Sequence, residues 1–130
     1  METQKIQKSH RSIFKNISEM ENAVGKELGL TPRKIMDQER INTFAKATED
    51  EQWIHIDEER CTNESPYKQT IAHGFLMLSM CSKIMYDSYE VGQVSMAINY
   101  GLDKVRFPNA TPAGSIFRGR VYLAEFNFIP

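Results

Sequence analysis

The stretch GFLMLSMCSKIMYD, residues 74–87, constrains the fold more than any other. Phe75, Leu76, Met77, Leu78, Met80, Cys81, Ile84 and Met85 cover nearly every side of the helix it would form. No single surface stripe satisfies such a helix, so the expectation is a buried one. Beyond Gly92 the period shortens. SMAINY (95–100), LDKVRF (102–107) and SIFRGRVYLAEFNF (115–128) are rich in β-branched and aromatic residues, and Gly101 and PNATPAG separate them. They read as strands. One buried helix followed by successive strands predicts an α+β arrangement in which a sheet is laid against or wrapped around the helix.

Upstream, DQERINTFAKAT places Ile41, Phe44, Ala45 and Thr48 on one helical face, with Asp37 as the capping residue. The acid-crowded stretch Glu49 to Arg60 has no helical stripe and reads as an ordered loop with a short extended piece. NESPYKQT, residues 63–70, reads as a second loop. At 130 residues the chain is one domain. Residues 1–18, with Lys5, Lys8, Arg11 and Lys15 against Glu2, form a basic arm, expected as a solvated tail or short partner helix, before a domain spanning 19–130.

A net charge of −1 gives no general attraction to nucleic acid or an acidic membrane. No apolar run approaches the ~18 residues needed to span a bilayer, and the arm lacks a secretory h-region. A soluble, cytoplasmic protein is expected. Cys61 and Cys81 form no C-x-x-C pair and no zinc set with the three histidines, so reduced thiols and no metal are expected. Cys81 reads as an inert core thiol.

DEQWIHID, residues 50–57, sets His55 between Asp50, five positions before it, and Asp57, two after. In a helix Asp50 and His55 would stand about 140° apart around the axis, and in a strand roughly 16 Å apart. Asp57 would share a strand face with His55. Spacing alone therefore favours Asp57, or an exposed loop with no partnership at all. Asp50 meets His55 only if EQWI turns back on itself.

TIAHGF, residues 70–75, opens the apolar helix. Ala72 and Gly74 permit close approach to the backbone, and the first N–H groups of a helix have no internal acceptor, which suits an anion. Packing is the better explanation of the glycine, and a hydrogen-bonded structural role fits His73 better than a catalytic one. In NYGLDKVRFP, residues 99–108, Lys104 and Arg106 alternate as on an exposed strand face, with contact to a phosphate-bearing ligand as the alternative.

Taken together, FAKATEDEQWIHID, SPYKQTIAHGFLMLSM and INYGLDKVRFP resemble, in order and spacing, the MaoC-like dehydratases, a family that includes the (R)-specific enoyl-CoA hydratases and the NodN-like proteins. The resemblance covers roughly residues 35 to 120. It implies a hot-dog fold, in which an antiparallel sheet wraps a long central helix, usually as a homodimer. It also implies a catalytic pair of an Asp and a His five residues later, here Asp50 and His55, and a thioester carbonyl bound at Gly74. His73 and Arg106 are further candidates for substrate contact. The implied reaction adds water to a trans-2-enoyl-CoA, or removes it from an (R)-3-hydroxyacyl-CoA, with a coenzyme A thioester as substrate and no metal or redox cofactor.

Two positions depart from the family pattern: Glu49, where glycine is common, and Lys68, where small residues are common. The chain also ends at NFIP, where the family usually continues through further strands. The resemblance therefore implies a shortened member with C-terminal strands missing. A non-catalytic acyl-thioester-binding protein and a hot-dog thioesterase remain the alternative readings.

Overall fold

The structure, a computed structural model, describes residues 6–129. In chain order its elements are β1 (Ser12–Phe14), α1 (Ile17–Glu21), β2 (Glu27–Leu30), β3 (Lys34–Met36), α2 (Gln38–Thr48), α3 (Trp53–Ile56), α4 (Glu58–Glu64), α5 (Gly74–Ser79), α6 (Cys81–Ser88), β4 (Tyr89–Val91), β5 (Ser115–Phe117) and β6 (Arg120–Tyr122). Two compact units share the chain. One contains residues 33–81 and 100–117, and the other residues 6–32, 82–99 and 118–129.

The unit containing residues 33–81 is built around α2. Asp37 accepts a hydrogen bond from the Arg40 N–H at 2.8 Å, Glu39 lies in the first turn and Lys46 in the last, so cap and charges agree with the helix dipole. The apolar face buries Ile41 and Ala45 completely, as the sequence periodicity predicts. Ile41 joins Met36, Ala72 and Leu76 in the core, with Phe44, Met77, Met80, Ala113 and Phe117 packed against them. β3 and β5 pair antiparallel, Lys34 opposite Phe117 and Met36 opposite Ser115. The segment before α5 is stitched to the chain near β5 by Ala72 N–H to the Thr111 carbonyl (2.8 Å) and Ala113 N–H to the Thr70 carbonyl (2.9 Å).

In the other unit β1 runs parallel to β4, and β2 antiparallel to β6. Glu27 links the latter pair through an ion pair with Arg120 at 2.7 Å. Gly29 is required by close approach, because a Cβ there would lie 2.5 Å from the Ser88 carbonyl oxygen. Residues 1–5 of the basic segment lie outside the described residues. From His10 onward it is neither a tail nor a partner helix: His10 bridges Leu30, and Ser12–Phe14 pairs with Tyr89–Val91.

Several expectations are corrected. Glu49 to Arg60 is largely helical rather than extended, because Asp57 caps α4 by accepting from the Arg60 N–H, and Arg60 pairs with Glu64 one turn later. SMAINY and LDKVRF form no strands: residues 95–107 have no ladder partner among the described residues, and Met96, Ile98 and Tyr100 are exposed. Without a ladder the backbone has no reason to stay extended, whatever its β-branched content. Lys104 and Arg106 therefore share no strand face. The apolar helix is only partly buried, since Phe75, Ser79, Lys83 and Tyr86, spaced three or four residues apart, face solvent. Cys81 is exposed, whereas Cys61 is the buried thiol. No helix among the described residues is long and apolar enough to cross a membrane.

Candidate active site

The fold-back that EQWI had to make begins at Glu49. This C-cap residue of α2 adopts φ 62°, in the left-handed region, and turns the chain sharply after the helix. Glycine takes that conformation without the steric cost a side chain incurs, which accounts physically for a family preference for glycine there. Lys68, the second departure, also lies in the left-handed region, with φ 60°. After the turn, Trp53–Ile56 makes a single helical turn that brings His55 back inward, where it is buried.

Three side chains then meet. Ligand-type atoms of Asp50, His55 and His73 all lie within 4.8 Å of one another, with both histidines buried and Asp50 exposed. The rings of His55 and His73 stack at 3.8 Å between centroids with a 24° tilt, and Phe44 stands 4.9 Å from His73. All these residues belong to the same unit.

Hydrogen bonds fix the tautomers. His55 Nδ1 lies 2.7 Å from the Ile71 carbonyl oxygen. A carbonyl only accepts, so Nδ1 carries the proton and neutral His55 presents a lone pair on Nε2. Burial pushes the His55 pKa below the ordinary 6.5, against the pull of the Ile71 hydrogen bond; His73 lowers it further and Asp50 raises it. His55 is thus a neutral base at neutral pH. His73 Nε2 lies 3.0 Å from the Asp50 backbone carbonyl and donates to it, leaving His73 Nδ1 buried without a partner.

The backbone around His55 is clamped by residues that sequence reading did not single out. The Gln38 amide donates to the His55 carbonyl at 2.8 Å, and its oxygen accepts from the Thr70 hydroxyl. Ile71 N–H donates to the Ile54 carbonyl at 3.1 Å. No local signal marks Gln38, which reads as an ordinary first-turn helix residue. Asp57 is not the partner of His55; its carboxylate is used in capping α4. Cys61 donates towards the Trp53 and Ile54 carbonyls, and burial pushes its thiol pKa up, helped by Asp57 and opposed by Arg60.

Gly74, the first residue of α5, directly follows His73. A Cβ on it would fall 2.8 Å from a Phe107 ring carbon, so a side chain here would have to displace that ring. Arg106 is exposed, and its guanidinium donates to the neighbouring Val105 carbonyl; no hydrogen bond joins it to the cluster among the described residues.

The cluster suits proton transfer better than metal chelation. Two imidazoles bind one ion well when it lies in both ring planes, and near-parallel rings 3.8 Å apart do not offer such a point. A neutral imidazole and a carboxylate with ligand-type atoms within 4.8 Å of each other have the reach that general acid–base chemistry on a shared small reactant requires.

Comparison with known proteins gives the family and the fold class. A family profile described as MaoC like domain matches residues 19–126. The 3-hydroxyacyl-thioester dehydratase Z of Mycobacterium tuberculosis is 43% identical over 105 residues, 81% of this chain and 69% of that protein. Nodulation protein N of Rhizobium leguminosarum bv. viciae is 41% identical over 114 residues, 87% of this chain and 71% of the relative. Among solved structures, the monoamine oxidase regulatory protein from Archaeoglobus fulgius superposes with a TM-score of 0.62 at 23% identity, covering 82% of this chain and 68% of that one. The fold is therefore α+β of the hot-dog class, and dehydratase-type activity occurs among the relatives. Matched over 19–126 and more than 40% identical to relatives across four-fifths of its length, this chain belongs to the MaoC-like dehydratase family.

Proposed function

We propose that the protein is an (R)-specific enoyl-CoA hydratase, or in reverse a 3-hydroxyacyl-CoA dehydratase, acting through Asp50 and His55. The observation that carries this reading is that His55, whose Nδ1 proton is held by the Ile71 carbonyl, and the Asp50 carboxylate present ligand-type atoms within 4.8 Å of each other. Water held between them loses a proton to the pair as its oxygen bonds to C3 of the enoyl thioester. The pair returns a proton to C2, so hydrogen and hydroxyl are added from one face. Negative charge that collects on the thioester oxygen is stabilised by the Gly74 N–H at the start of α5. Such a donor typically contributes ~10²- to 10³-fold in rate.

A second copy of the chain is part of this proposal. Met96 and Ile98 are 70% and 79% exposed in a stretch without a ladder partner among the described residues, and exposed apolar side chains of this kind are what a homodimer covers. Light scattering on the purified protein is expected to give twice the chain mass.

Incubation with crotonyl-CoA tests the reaction. Loss of the conjugated-enone absorbance with the thioester retained is the expected result. Release of free thiol would indicate a thioesterase instead, and no change would leave a binding protein.

A further inference from the structure

We propose that His73 is a positioning residue of the reaction, holding Asp50 and His55 together by one hydrogen bond and one ring stack. The inference rests on the dyad reading above and adds to it a residue that acts without touching the reacting atoms.

Three observations carry it. First, His73 occupies the N-cap position of α5, yet its side chain makes no capping hydrogen bond. A side chain at this position usually accepts from an N–H of the first turn, and here the ring reaches to the Asp50 carbonyl, 23 residues back in the chain. Second, that hydrogen bond closes the loop from the left-handed turn at Glu49 to His55, so the main chain that carries the Asp50 carboxylate cannot move away from the imidazole without breaking it. Third, the same ring stacks on His55 at 3.8 Å and limits its rotation about χ2. His73 is 98% buried and its Nδ1 has no partner. An unpaired polar atom costs stability, and an apolar residue of similar size would avoid that cost. A histidine kept only for packing is therefore a poor choice, whereas one kept for its Nε2–H donor is a necessary one.

The role predicts a split between activity and stability. His73→Phe keeps a ring for stacking but loses the donor. Its kcat for crotonyl-CoA hydration is expected to fall about 10²-fold, the scale on which a misplaced catalytic group lowers rate, with KM changed less than about threefold. Its melting temperature should change little, the lost hydrogen bond to the Asp50 carbonyl being offset by removal of the unpaired Nδ1. His73→Gln restores an N–H close to the Nε2 position and should recover at least about tenfold of the loss. In an Asp50→Asn background, His73→Phe should lower the residual rate by less than about threefold, because residues acting through one another are not additive. Should His73→Phe not fold, His73→Leu takes its place with the same expectations.

A His73→Phe rate equal to wild type, a His73→Gln variant no better than His73→Phe, or full additivity with Asp50→Asn overturns the inference while leaving the dyad standing. An Asp50→Asn protein with wild-type rate overturns the dyad itself, and the inference with it.

Discussion

Two stretches of this chain invert the usual relation between polarity and order. Residues 49–57, crowded with acids, hold a closely hydrogen-bonded small structure: a left-handed turn at Glu49, a single helical turn, and a buried histidine clamped through Gln38, Thr70 and Ile71. Residues 94–107, apolar and β-branched, form no element at all and expose Met96, Ile98 and Tyr100. The lesson is that hydrogen-bond partners, rather than composition, decide which segment is ordered. A charged loop is rigid where distant residues satisfy its backbone, and an apolar segment stays irregular where no strand lies beside it.

The largest test of the first region is His55→Gln, which removes the Nε2 base. Hydration of crotonyl-CoA should fall by ~10²- to 10⁴-fold, the range that general acid–base groups contribute. The wild-type stability should also respond to pH. Because burial lowers the folded-state pKa of His55 below 6.5, the unfolded chain binds that proton more readily. Its contribution is present in full above about 6.5 and is lost as pH falls through the folded value. Denaturant titrations at pH 7.5 and 5 should show this acid loss in wild type and less of it in His55→Gln.

Next in size is Gln38→Ala, which strips partners from the His55 carbonyl and the Thr70 hydroxyl together. A loss of ~1–3 kcal/mol is expected in urea denaturation, the cost of leaving buried polar groups unpaired. Were the clamp unimportant, the variant would unfold at the wild-type midpoint.

Glu49→Gly has a smaller effect of opposite sign. Relief of the left-handed side-chain strain, partly offset by the chain entropy of glycine, should stabilise the protein by about 0.5–1 kcal/mol. A destabilised variant would mean that the Glu49 side chain contributes an interaction of its own.

How much of this was legible in the sequence follows the same division. α2 was readable because its signals are local: the Asp37 cap, the first-turn acid and the Ile41 and Ala45 stripe all lie within one element. The general α+β class was readable from the apolar helix and the later β-rich half. The site was not readable from spacing, because the turn that joins Asp50 to His55 is made at a glutamate that carries no turn signal, and held by Gln38, Thr70 and Ile71, more than 14 positions from His55. Only the combined order of three motifs pointed to Asp50. The errors have a common cause as well. Residues 95–107 look like strands, and 74–87 like a fully buried helix, because propensity and hydrophobicity report what a segment would do with partners, and the described chain does not supply them.

Asp50 and Asp57 offer the most direct test, since they flank one histidine and carry the same chemical group. Asp50→Asn and Asp57→Asn should be assayed side by side on crotonyl-CoA. Asp50→Asn is expected to lose ~10²- to 10⁴-fold in kcat with its fold intact. Asp57→Asn, which still caps α4 because Asn serves nearly as well as Asp, should keep its rate within about twofold. A dead Asp57→Asn beside an active Asp50→Asn would contradict the account at its centre.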